Sequence, residues 1–260
     1  MMKSNKKAKT TAARFLIRTA AILFWIGIWA AAAAMINKPL LLPSPLAAFG
    51  RLVELAIEKT FWLATGATFL RIASGLICGI VAGCLLAAVC FRFKTFDTLL
   101  SPMMTVIKAT PVASFIILVL LWIGRDSVPI IITFLMVVPI VWHNVKTGLA
   151  SSNPALLEVA RVYGVTGLKR WKHNYLPAAL PYFFSAVRAS IGLGWKAGIA
   201  AEVLTVPVRS IGTNIFESKT YMETTDLFAW TLLVILLSIA LEKVIMLTFR
   251  KIENRFGKNG

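Results

Sequence analysis

Histidine is almost absent from this chain, two in 260 residues, and acidic side chains are few, eleven against 28 lysines and arginines. His143 and His173 stand apart, and the acids are thin in the apolar stretches. A membrane-embedded enzyme needs such groups clustered near a membrane face, and no such constellation appears. Cysteine is scarce too. Cys78, Cys84 and Cys90 lie six apart in one apolar run. With no second Cys or His cluster at metal-ligand spacing, they read as small apolar packing residues. The phosphate loop G-x-x-x-x-G-K-[ST] is also missing, which excludes a nucleotide-hydrolysing subunit of that design.

What the chain has in excess is apolar surface. Apolar residues make up 58%, charged residues only 15%, and mean hydropathy is +0.78. Soluble domains sit near half apolar and a quarter charged, so the surplus must face lipid. Six apolar segments approach the length that crosses a bilayer, at roughly 20–36, 72–91, 103–123, 128–145, 182–206 and 227–248. The expected fold class is therefore an all-α membrane protein with six transmembrane helices. The fourth span is short and holds Pro129 and Pro139, so neighbours must satisfy its freed backbone groups. Between the first two spans, Pro39–Leu46 (PLLLPSPL) is too rich in proline for a helix and reads as an extended connection. Residues 47–71 are expected to form a partly amphipathic helix leading into the second span.

A net charge of +17 raises nucleic acid as a partner, but the placement of the charge gives a better account. With both termini in the cytoplasm, the segments 1–19, 91–108, 146–188 and 243–260 hold twenty Lys and Arg residues. The outer segments hold seven, and Lys196 alone stays inside a span. That asymmetry follows the positive-inside rule and leaves basic cytoplasmic tails at 1–19 and 249–260. The 1–18 tail also resembles the charged start of a signal peptide. The apolar run after it is longer than a usual signal core and lacks a clear cleavage site, so it is read as an uncleaved first span.

The largest inner loop, 146–181, has legible local chemistry. Asn153 before Pro154 is an N-cap followed by proline at the first helical position. Leu156, Val159, Ala160 and Tyr163 share one helical face, and Glu158 and Arg161 are spaced to pair at i,i+3. Gly164 sits where a helix wants a left-handed terminator. Thr166 is placed to cap a second short helix through Lys169–Asn174 that ends before Pro177. This is a compact docking element.

The loop resembles the signature of ABC importer permeases: Glu-Ala-Ala, three residues, Gly, nine residues, Ile, one residue, Leu-Pro. Glu158, Ala160, Gly164, Leu176 and Pro177 stand at the matching positions, while Val159 and Asn174 depart from it. Over roughly 60–250 the chain resembles this family. Leu42–Leu46 (LPSPL), Pro111–Gly124 and Gly192–Leu204 (GLGWKAGIAAEVL) are similar to the subgroup that imports sulfonates, taurine, nitrate, bicarbonate and vitamin precursors, which implies a small solute, either an anion or a vitamin precursor.

The resemblance implies the type I importer permease fold in a bacterial cytoplasmic membrane. It implies that Asn153–Tyr163 docks on a separate ATP-binding subunit, two copies per transporter, through Glu158 and Arg161. It also implies a second permease copy, as a homodimer, and an extracytoplasmic solute-binding protein delivering solute to 37–71 and 207–226. The chain itself is then non-catalytic and carries no cofactor, ATP and magnesium belonging to the partner ATPase.

Two ionisable residues in the fifth span are candidates for the translocation path. Lys196 either lends positive potential to a path for an anion or pairs with an acid on another span. Glu202 either shares that path or caps or pairs near the outer surface. Six residues apart, they point about 120° from each other and do not pair directly. Small residues every fourth position, Ala186, Ser190, Gly194 and Gly198, and likewise Gly75, Gly79 and Gly83, read as close-packing stripes. The rival reading is an ion-driven secondary transporter, which calls for inverted repeats, and no internal repeat stands out.

Overall fold

In a computed structural model the chain is helical throughout, with no strand among the described residues, 2–256. Met1 and residues 257–260 lie outside the described residues. So do the basic side chains of the tails at 1–19 and 249–260. The elements in order are α1 (Met2–Ile36), α2 (Pro45–Leu55), α3 (Lys59–Arg92), α4 (Lys94–Ala109), α5 (Val112–Trp122) and α6 (Val128–Ala150). They continue as α7 (Pro154–Val162), α8 (Gly167–Arg170), a π-helical turn (Trp171–Tyr175), α9 (Leu176–Thr205), α10 (Ile211–Thr220) and α11 (Thr224–Phe256). Helices dominate because lipid offers backbone groups no other partner. Five of them are long and apolar enough to cross a bilayer, and α4 with α5 makes a sixth if the two arms count as one span.

The third span, expected at 103–123, needs correction. It is two helices meeting at 106°. Pro111 holds Thr110 in an extended conformation (φ −74°, ψ 131°), because its ring excludes the helical region for the residue before it. The helix expected over 47–71 is also broken. α2 stops at Leu55, a turn follows, and the Trp62 indole N–H donates to the Ala56 carbonyl at 2.8 Å, so the chain restarts at Lys59 with that carbonyl satisfied.

The centre of the molecule is α6, packed between α3 and α9. The two close-packing stripes lie in these contacts. On α3, Gly75, Gly79 and Gly83 face Thr133, Val137 and Val141 of α6, so the two helices run parallel. On α9, running the other way, Gly194 and Gly198 press on Leu76, Ile72 and Thr133. Missing Cβ atoms let the backbones approach, which is what drives helix association where lipid is as apolar as leucine. α11 is tied on outside this trio. Arg51 of α2 reaches both carboxylate oxygens of Asp226 at 2.7 and 3.0 Å. That contact and a second with Glu54 hold the guanidinium above its ordinary pKa. α1 leans on this assembly through Trp29, stacked on Phe228 at 5.6 Å and donating to the Pro43 carbonyl at 3.1 Å.

Candidate functional site

At one end of the bundle, residues 151–175 form a small helical projection between α6 and α9. The Asn153 side chain accepts from the Ala155 N–H at 2.9 Å and opens α7, with Pro154 in its first turn. The helix closes at Gly164, whose φ of +65° lies in the left-handed region. The Val165 N–H donates to the Ala160 carbonyl at 2.8 Å, a Schellman closure that only a residue without Cβ adopts freely.

Ala160 is buried, but the rest of the apolar face is bare. Leu156, Val159, Val162 and Tyr163 are 57, 52, 78 and 80% exposed. The pairing expected of Glu158 with Arg161 is not formed. Both side chains are exposed, and among the described residues neither has an ionic partner, since i,i+3 pairs are weak against solvation by water.

The second short helix also differs from expectation. Thr166 makes no side-chain cap, and the helix does not end before Pro177. It passes through the π-helical turn directly into α9, forming one run from Gly167 to Thr205. Pro177, which has no N–H to give, follows directly on the π-helical turn, where the Leu176 N–H bonds back to the Trp171 carbonyl. Leu176 and Pro177 thus lie in this junction, both exposed.

The turn is seated by aromatic rings. Trp171 and Tyr175 pack on Phe91 at 6.0 and 5.2 Å and on each other at 5.4 Å. Asn174, the departure from the signature, donates through Nδ2 to the Leu156 carbonyl at 3.2 Å, tying the turn to α7. Asn174→Ala should remove about 1 kcal/mol of this tie. Amide exchange across Pro154–Val162 should then quicken several-fold. Exchange unchanged from wild type would mean that the aromatic seat alone holds α7.

The other end of the bundle holds a polar knot around Glu202. This carboxylate is fully buried. Its Oε2 accepts from Thr68 Oγ1 at 2.8 Å and from the Gly212 N–H at 3.2 Å, and Oε1 faces Arg71 Nη1 at 3.5 Å. Thr68 Oγ1 in turn accepts from the Ile211 N–H at 2.9 Å. Ile211 and Gly212 open α10, so the carboxylate and the hydroxyl satisfy the free N–H groups of a helix start.

Arg71 completes the knot. It donates to the Val208 and Arg209 carbonyls at 2.7 and 3.2 Å and to Asp126 Oδ1 at 3.3 Å, while Asp126 Oδ1 also accepts from the Val208 N–H at 2.9 Å. These bonds hold a loop in which Val206 and Arg209 have φ of +48° and +52°, conformations that cost non-glycine residues about 1–2 kcal/mol. The sequence reading counted Arg71 only as an outer charge. A cation inside an apolar run, with Thr68 one turn before it, was the available signal.

Lys196 is not brought together with Glu202. It lies six residues nearer the middle of α9, on the exposed side of the helix. Among the described residues it has no ionic or hydrogen-bond partner, and the one acid on α9 is committed to the knot. A bare ammonium at the middle of a span costs about 2.5–3.5 kcal/mol against lipid, so lipid is not its neighbour by preference.

Residues 75–258 match the family of inner-membrane components of binding-protein-dependent transport systems. The chain is similar to the formylaminopyrimidine transport permease protein of Halalkalibacterium halodurans, 28% identical over 68% of this chain and 71% of that one. It is also similar to the taurine transport system permease protein of Escherichia coli, 22% identical over 87% and 84%. The nitrate import permease protein of Leptolyngbya laminosa is 30% identical over 62% and 57%. Among solved structures, an amino acid ABC transporter chain aligns with a TM-score of 0.58 at 15% identity, covering 72% of this chain and 90% of that one.

Proposed function

Because the chain belongs to the inner-membrane components of binding-protein-dependent transport systems, as an ABC importer permease, we propose that it couples to a separate ATP-binding subunit through α7. The observation that carries this is the bare face of that helix. Leu156, Val159, Val162 and Tyr163 stand exposed beside Glu158 and Arg161, unpaired among the described residues, on an element held by a cap, a Schellman closure and the Asn174 tie to the aromatic-seated turn. Exposed apolar anchors rimmed by free charges are the make-up of a protein interface. The excess of lysine and arginine on this side supports a cytoplasmic loop and cytoplasmic termini.

Two further parts follow. α6 packs between α3 and α9, which supports a path formed between two copies, as a homodimer. At the opposite end, an extracytoplasmic binding protein would meet the connections before α2 and around α10. The relatives named for taurine and nitrate support a small anionic or zwitterionic solute. ATP-driven closure of two ATP-binding subunits would then rock the two copies between outward-open and inward-open states.

The test is affinity capture of the tagged chain from gently solubilised membranes, comparing wild type with Gly164→Asp and Glu158→Lys. An ATP-binding subunit should co-purify with wild type and fall at least tenfold in both variants. Absence of any such subunit from the wild-type capture would sink the coupling reading and favour an ion-driven carrier.

A further inference from the structure

Resting on the permease reading, we infer that the exposed face of α9 lines an aqueous path and that Lys196 makes this path attractive to anions near its midpoint. The first argument is angular. At 100° per residue, Ser185, Ala189, Gly192, Lys196 and Ala200 all fall within one narrow arc of α9, and all are exposed or half-buried, whereas the opposite arc is packed against α3 and α6. Lys196 sits at the centre of that open arc.

The second argument is depth. Thr205 ends the helix nine residues later, and the fifth span, expected at 182–206, begins fourteen residues before, so Lys196 stands near the middle of a bilayer about 30 Å thick. The third is charge. Glu202, the one acid on this helix, is turned inward and already bonded to Thr68, Gly212 and Arg71. An ammonium in the middle of a membrane, with no acid to meet it among the described residues, faces water or an incoming anion. The fourth is space. A Cβ built at Gly192, one turn from Lys196, meets nothing within 4 Å.

The solute favoured by this field is a small anion, or a small molecule with an anionic group. The ammonium receives it as a diffuse positive field and not as a fixed fork, which suits passage better than tight capture.

The experiment needs no knowledge of the solute. Gly192→Cys and Ala200→Cys are introduced singly into the full chain in native membranes, with Cys78, Cys84 and Cys90 replaced by alanine. A parent retaining those three serves as a second background if their removal harms assembly. Each new thiol is treated with a sulfonate-bearing and with a trimethylammonium-bearing methanethiosulfonate.

Both sites should react, the anionic reagent gaining on the cationic one by on the order of tenfold because a positive charge lies about 6 Å away. Lys196→Gln should bring the ratio back towards that of a free thiol. No reaction at either site would place this face against lipid or a dry contact between copies and overturn the proposal. So would a ratio that Lys196→Gln leaves unchanged. Failure of the permease reading would show separately, as loss of the co-purifying ATP-binding subunit from the wild-type chain.

Discussion

Arg71→Ala is expected to cost this protein about 3–5 kcal/mol, the range for removing one partner of a buried ion pair and leaving the other charged. The residue left stranded is Glu202, which has no exposed surface. Its neighbours Thr68 and Gly212 supply hydrogen bonds but no charge. The same change frees the Val208 and Arg209 carbonyls and releases the loop that keeps Val206 and Arg209 at positive φ.

In detergent the midpoint of thermal unfolding should fall by on the order of 10 °C. Arg71→Lys should fall in between, because one ammonium cannot span the four acceptors that the guanidinium fork reaches. Thr68→Val should cost only about 1–2 kcal/mol, the loss of one bonded hydroxyl. An Arg71→Ala protein that melts with wild type would show that the knot contributes no net stability, its attraction cancelled by desolvation.

Gly75→Ala is the second large effect. A Cβ at this position lies 2.5 Å from the Ile130 carbonyl oxygen and 2.8 Å from Thr133 Cβ. The first contact is backbone, so no change of rotamer relieves it, and α3 and α6 must separate. Overpacking of this kind costs about 3 kcal/mol. Gly75→Val, with two more methyl groups at the same contact, should yield little monodisperse protein.

The control lies on the same helix. Gly66 has nothing within 4 Å of a built Cβ, and Gly66→Ala should match wild type or gain about 0.5–1 kcal/mol from helix propensity. Comparing the melting midpoints and the size-exclusion profiles of the two alanine variants decides the matter. Equal stability would mean that the parallel α3–α6 contact is loose enough to part without cost.

Much of this arrangement could be read before any coordinates. Runs of apolar residues located the spans, because length and hydropathy are what a bilayer selects, and the glycine spacings of α3 and α9 marked their packing faces. Asn153, Pro154 and Gly164 announced the start and end of α7 through local backbone chemistry that acts over three or four residues.

What escaped were features set by distant segments. Nothing local distinguishes Arg71 from other outer charges until α9, α10 and the loop before α6 bring Glu202, Val208 and Asp126 to it. Likewise the apolar run 103–123 hides a bend, since hydropathy is blind to direction, although Pro111 held the clue. The ending assigned before Pro177 failed for a related reason. Proline removes one N–H from a helix without always ending it, and only the π-helical turn just before Pro177 shows that the helix runs on.

That turn also has a mechanical consequence. Between Gly167 and Thr205 the 39 residues form one helical run about 58 Å long, jointed by the π-helical turn, Pro177 and Pro181, whose foot is tied to α7 through Asn174. A rod of this length acts as a lever arm. Tilting its foot by about 10° would sweep the far tip sideways by about 10 Å, with Lys196 carried through most of that arc. A modest rotation under the loop would thus arrive magnified at the opposite face of the membrane, where the Glu202 knot clamps the tip to α3 and α10.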